Sequence, residues 1–222
     1  MSNPTVATSL ASVFVGWLLS QLTVYGKDYR LKRALRAGLL TELVDIRAEL
    51  DRIALTYERA IQLSAAKGIE PAVPGPASNF FFTHHYKDVF ISLNREQRLS
   101  YQIIHKKVDA INAGIALLLA KLEIAQSEQE AHGQASLNIL ASWDNVLVGQ
   151  YHNVREATWH IERHLESPTR PVLDLLGPMH VSYMKFVGEV DDRIATLKRQ
   201  GAGMTPSDFE ATAARPAPTI SG

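Results

Sequence analysis

Apolar positions in this chain recur at helical, not strand, spacing. Leu39, Leu43, Ile46, Leu50, Ile53, Tyr57 and Ala60 are separated alternately by four and three residues. That alternation is a heptad seam, and it predicts a long amphipathic helix able to form a coiled coil. With Leu43 and Leu50 at a positions, Glu42 and Glu49 fall at g and Arg47 at e, which would suit a bridge between parallel chains. A second seam runs through Tyr101, Ile104, Val108, Ile111, Ile115, Leu118, Leu122 and Ala125. A third links Leu137, Leu140, Leu147, Tyr151, Val154, Ile161 and Leu165, and a fourth Leu176, Met179, Tyr183, Phe186, Val190, Ile194 and Leu197.

The punctuation between these seams is equally plain. The stretch from Gly68 to Pro76 holds three prolines and two glycines, which no helix or central strand sustains. An aromatic cluster follows, Phe80 to Phe82 and His84 to Tyr86, with a short helix expected from about His84 to Leu93. Asn94 and Gln97 match a capping box, so a helix should start there, and His132-Gly133 should stop it. Ser167 to Pro171 ends the next helix, and Gly177-Pro178 predicts a kink near the start of the last. From Gly201 onward Ala, Gly, Thr, Ser and Pro dominate, predicting a disordered tail. No run combines two-residue alternation with turn chemistry, so the expected fold is all-α, an antiparallel helical bundle.

The amino-terminal segment reads differently. Met1 to Gly26 contains no charged side chain, and Val6 to Tyr25 is mostly apolar over about the length a bilayer-spanning helix needs. Lys27, Arg30, Lys32, Arg33 and Arg36 follow, opposed only by Asp28. A basic flank after the apolar run predicts an uncleaved single-pass anchor in the inner (plasma) membrane, N-terminus out and the rest cytoplasmic. Ser12, Gly16 and Ser20 lie on one face of this segment, where small residues let membrane helices approach closely. The expected divisions are therefore an anchor over 1–26, a basic flank and coiled-coil helix over 27–67, a Pro/Gly-rich hinge and aromatic segment over 68–82, a bundle over 83–200, and a tail over 201–222.

Composition narrows the chemistry. The 222 residues include no cysteine, which excludes disulfides, thiolate nucleophiles and Cys-ligated metals. Lys and Arg number 23 and so do Asp and Glu, so there is no overall basic field and no nucleic-acid partner is expected. Nucleotide-binding glycine loops, zinc-protease helices, EF-hand loops and nucleophile elbows are all missing, so neither catalytic residues nor a cofactor are assigned. His152, Glu156, His160 and His164 form a ladder with four-residue spacing, which could hold zinc, iron or manganese. Helical rotation turns that ladder away from its own helix's apolar stripe, toward solvent. Trp159 also points off the stripe and is a candidate anchor for a partner protein, or equally a residue covered by the Phe80 to Tyr86 segment or by the tail. These features lead to a non-enzymatic, membrane-anchored scaffold, sensor or adaptor that self-associates and presents a helical domain to a cytosolic partner. The alternative is a channel or membrane-perturbing effector lined by the N-terminal helix, and a metal-dependent helical enzyme comes third.

Overall fold

The computed structural model describes residues 4–172 and 177–205, with side chains from residue 14 onward. Among them are five α-helices: α1 (Pro4–Ala65), α2 (Phe80–Val89), α3 (Arg95–His132), α4 (Leu137–Glu166) and α5 (Pro178–Ala202), with a 3-10 turn at Phe90–Ser92. The all-α reading holds. α1 is continuous through Gly16, Gly26 and Gly38, and its 62 residues span roughly 90 Å.

Several boundaries follow from the chemistry expected of them. The Asn94 side chain accepts the Gln97 amide while Gln97 accepts the Asn94 amide, completing the capping box of α3. Gly133, with φ of 75°, ends that helix in the left-handed region. α1 ends in a Schellman arrangement, in which Gly68 N–H donates to Leu63 O and Lys67 N–H to Ser64 O. Lys67 itself takes the positive φ of 63° that glycine normally occupies.

α4 is the centre of the bundle, packed against both α1 and α3, while α5 lies mainly on α1. The heptad seam of α1, from Leu39 to Ala60, is buried inside this one chain. It therefore does not form the intermolecular coiled coil that its spacing allowed, because α4, α5 and α2 cover it. Arg47 pairs with Glu162 of α4, not with a second copy of α1. Antiparallel packing holds for α4 against its neighbours, but α5 runs parallel to α1. Arg193 meets Glu58 and Gln200 meets Gln62, so the two helices advance together.

The segment between α1 and α2 returns along the whole bundle and is tied down. Ala77 N–H donates to Asn112 Oδ1 while Asn112 Nδ2 donates to Ala77 O, both at 2.9 Å. Arg59 pairs with Glu70, and Glu49 accepts the Ser78 amide. The expected hinge is a strap held to α1 and α3. α2 begins at Phe80, earlier than the sequence indicated, so the phenylalanines belong to its first turn. No kink forms at Gly177-Pro178, because α5 starts at Pro178. Leu176 and residues 206–222 of the expected tail lie outside the described residues, while Gly201 and Ala202 complete α5.

At Gly201 the backbones of α5 and α1 lie in close contact. A Cβ there would overlap the carbonyl of Gln62, a backbone group that cannot swing aside. Gly201→Ala is expected to lower stability by about 1–3 kcal/mol, as overpacking does. Urea denaturation checks this, and an unchanged midpoint would show that the two helix ends separate freely.

Candidate functional site

Two regions stand apart from ordinary core packing. The first is the part of α1 that extends beyond the bundle. Leu39 is its first fully covered residue, with Leu35 packed at the edge, and everything from Phe14 to Ala34 is exposed or nearly so. The exposed side chains include Phe14, Val15, Trp17, Leu18, Leu19, Leu22, Val24 and Tyr25. Consecutive positions such as 17, 18 and 19 point about 100° apart, so the apolar surface surrounds the helix instead of forming one stripe. Gly16 and Ser20 face open space on it, while the side chain of Ser12 lies outside the described residues. Among the described residues no helix is long and apolar enough to cross a membrane. The structure thus lends the anchor expected over 1–26 no direct support, and half of that segment lies beyond the described side chains.

A basic collar follows. Lys27, Arg30 and Arg33 are exposed and form no ion pair among the described residues, while Lys32 pairs with Asp28 at 2.6 Å. Arg36 differs from the rest of the flank. It donates to both the hydroxyl and the carbonyl of Ser92, tying α1 to the 3-10 turn where the bundle begins.

The second region is a buried polar cluster where α1, α2, α3 and α4 meet. Glu42 caps α2 from a distance: its Oε1 accepts the Phe81 amide at 2.5 Å and its Oε2 the Phe82 amide at 2.9 Å. These are orphan amides of the first turn, and Asn79 provides no side-chain cap. His105, 2% exposed, stacks on Phe82 at 3.6 Å and lies 3.8 Å from Glu42, with neither ring nitrogen hydrogen-bonded. His164 is fully buried beside Tyr101, with Nδ1 hydrogen-bonded to Ser100 Oγ at 2.8 Å.

Burial sets the protonation of this cluster. Desolvation, with a smaller push from His164, lowers the His105 pKa to about 3, and desolvation lowers that of His164 to about 4. Desolvation also raises the Glu42 carboxyl, against the pull of the two amides it accepts. The imidazoles are neutral at pH 7.

The histidine ladder of α4 does not converge on one point. His152 meets Asp191 of α5 at 3.1 Å, Glu156 takes Lys107 of α3 and the Tyr183 hydroxyl of α5, and His164 turns inward to Ser100. His160 lies partly buried against Trp159. Among the described residues no group of three or more His, Asp or Glu is arranged to hold a metal ion. The expected solvent face is instead contact surface with α3 and α5. Trp159 is corrected likewise: it is only 8% exposed, covered by Tyr183 and Phe186 with Arg163 over its ring. Its anchor role is filled by the protein's own α5.

Lys107, Glu156 and Tyr183, brought together by α3, α4 and α5, thus satisfy one another, while an extended surface left without a partner among the described residues is the apolar rod of α1. Fold and surface together define a helical bundle carrying an exposed apolar helix. No protein-family model matches the chain, and neither curated proteins nor solved structures yield a match.

Proposed function

We propose that the protein is a membrane-anchored helical adaptor, its α1 rod inserted in lipid and its bundle presented to a cytosolic protein partner. The observation that carries this reading is the all-round exposure of large apolar side chains from Phe14 to Tyr25, followed at once by the collar. A helix that is apolar on every side suits a lipid surrounding, whereas a coiled-coil partner would need only one stripe. From Pro4 to Gly26 the helix rises roughly 34 Å, comparable to the ~30 Å hydrocarbon core of a bilayer. The collar then favours the cytoplasmic side, with the N-terminus outside.

Self-association belongs to this proposal in a narrower form. The heptads are occupied within the chain, so Gly16 and Ser20 on the rod are the remaining surface for pairing copies. A pore lined by this face has less to recommend it. The Thr23 hydroxyl donates to Leu19 O within the helix at 2.8 Å, which suits a hydroxyl facing lipid. No catalytic step is assigned, since Glu156, Lys107 and Tyr183 are engaged with one another.

The test is fractionation of the full chain with a protease-sensitive tag after Gly222. The protein is expected to stay in carbonate-washed membranes, with the tag cleaved only after lysis. Leu18→Asp, a charge near the middle of the rod, is expected to lower insertion about a hundredfold, given a cost of about 3 kcal/mol. Release of the unsubstituted protein by the wash would overturn the reading.

A further inference from the structure

The 3-10 turn between α2 and α3 marks the end of the bundle from which the α1 rod leaves, because Arg36 is bonded to Ser92. Ile91 in this turn is 92% exposed, the most exposed of the large apolar side chains among the described residues. That exposure is built in. Val89 and Leu93 on either side are buried, Ser92 Oγ donates to Val89 O at 2.7 Å, and Arg98 lies over the Phe90 ring. The turn is therefore anchored at both ends and holds Ile91 outward.

The neighbouring surface is basic. Asn94 Nδ2 donates to Thr169 O and Gln97 Nε2 to Pro168 O, which brings the α4–α5 connection beside the turn. Arg95 and Arg170, both exposed and without an ion pair among the described residues, thus share this end with the collar of α1. Glu96 is half-buried, Glu166 is paired with Arg163, and the exposed Asp88 at the end of α2 lies 3.7 Å from His85 and is matched by its exposed neighbour Lys87. The balance at this end favours cations.

We propose that this end of the bundle is a second membrane-contact surface for anionic lipid, with Ile91 seated among the headgroups and Arg95 and Arg170 meeting phosphates. The inference rests on the membrane reading of α1. Arg36 lies ten residues beyond Gly26, roughly 15 Å along the helix, and headgroups fill about half of that distance. An ordinary tilt of about 20° toward the turn brings Ile91 nearer to the lipid. Contact at the turn would then fix the direction of tilt and the face of the bundle shown to the cytosol. Charge complementarity selects the lipid: each Lys or Arg near an anionic surface changes partitioning about fivefold.

Because the chain has no cysteine, single cysteines report cleanly on position. Full-length Leu19→Cys, Ile91→Cys and Leu137→Cys are each labelled with a polarity-sensitive fluorophore and reconstituted in phosphatidylcholine vesicles, with or without phosphatidylserine. Leu137 is exposed at the opposite end of the bundle and serves as the aqueous control. The Leu19 label is expected to shift to the blue in both vesicles, the Ile91 label only with phosphatidylserine, and the Leu137 label in neither. Arg95→Gln and Arg170→Gln should each reduce the docked-to-free ratio at Ile91 about fivefold, leaving the Leu19 signal unchanged. A water-exposed Ile91 label beside a lipid-exposed Leu19 label overturns this inference and leaves the anchor standing. A Leu19 label that stays in water overturns the anchor reading and this inference with it.

Discussion

Acidification from pH 7 to pH 4 is expected to destabilise the bundle by about 6 kcal/mol, comparable to the whole stability of many domains. The cause is the pair His105 and His164, which are buried neutral with pKa values near 3 and 4 and titrate at about 6.5 once unfolded. Between those values the unfolded chain binds protons that the folded one refuses. The stabilisation is therefore complete above pH 6.5 and is lost as the pH falls toward the folded values. Each histidine contributes about 3 kcal/mol of the loss at pH 4. Glu58 and Glu156, whose carboxyls are held low by the hydrogen bonds of Arg193 and Lys107, add to it. Glu42 works in the opposite direction, because its raised pKa favours the folded state in acid. His105→Phe keeps a ring against Phe82 and removes two unpaired nitrogens. It is expected to be more stable than the parent at pH 7 by about 1–2 kcal/mol and to lose roughly half of the acid sensitivity. Urea midpoints between pH 7 and pH 4 measure both, and a flat profile for the parent protein would refute the assignment.

The parts of the fold legible in sequence are those set by neighbours along the chain. Asn94 and Gln97 specify the start of α3, Gly133 its end, and the four-three spacing from Leu39 to Ala60 the buried stripe of α1. What a seam packs against is not local information, since intramolecular and intermolecular packing want the same apolar spacing. The buried faces of α4 are not legible locally for a related reason. Its apolar residues define one direction, but α1, α3 and α5 all lie against it, so faces judged outward are contact surfaces. His164 and Trp159 are buried there by helices far away in the chain. The start of α2 was hidden in the same way. Asn79 stands at the N-cap but makes no side-chain bond to the first-turn amides; they are capped by Glu42, which the heptad spacing places at a g position facing a second chain. From Phe14 to Ala34 the exposed apolar and basic positions were legible from the sequence, since among the described residues none of these side chains is buried by the bundle.

Removing the Glu42 carboxylate should detach α2. One side chain satisfies the Phe81 and Phe82 amides, and no other acceptor is bonded to either. Each charge-assisted bond is worth about 1.5–3 kcal/mol, so Glu42→Ala is expected to cost at least about 3 kcal/mol. The loss should not be uniform. α2 carries Phe82, which covers His105, so its release admits water to the cluster and lets His105 titrate closer to its ordinary value. Hydrogen exchange should therefore accelerate in Phe80–Val89 and in the strap before it, while the α1–α4 contact stays protected. Glu42→Gln separates charge from geometry: it retains one carbonyl oxygen as acceptor, so it should fall between Ala and the parent. Because Glu42 and His105 are neighbours, the loss in Glu42→Ala and the gain in His105→Phe should not add in the double variant. With α2 already released, water reaches the nitrogens of His105, so removing them in His105→Phe should no longer stabilise. Strict additivity would mean that the two residues act independently and that α2 is held by its aromatic face alone.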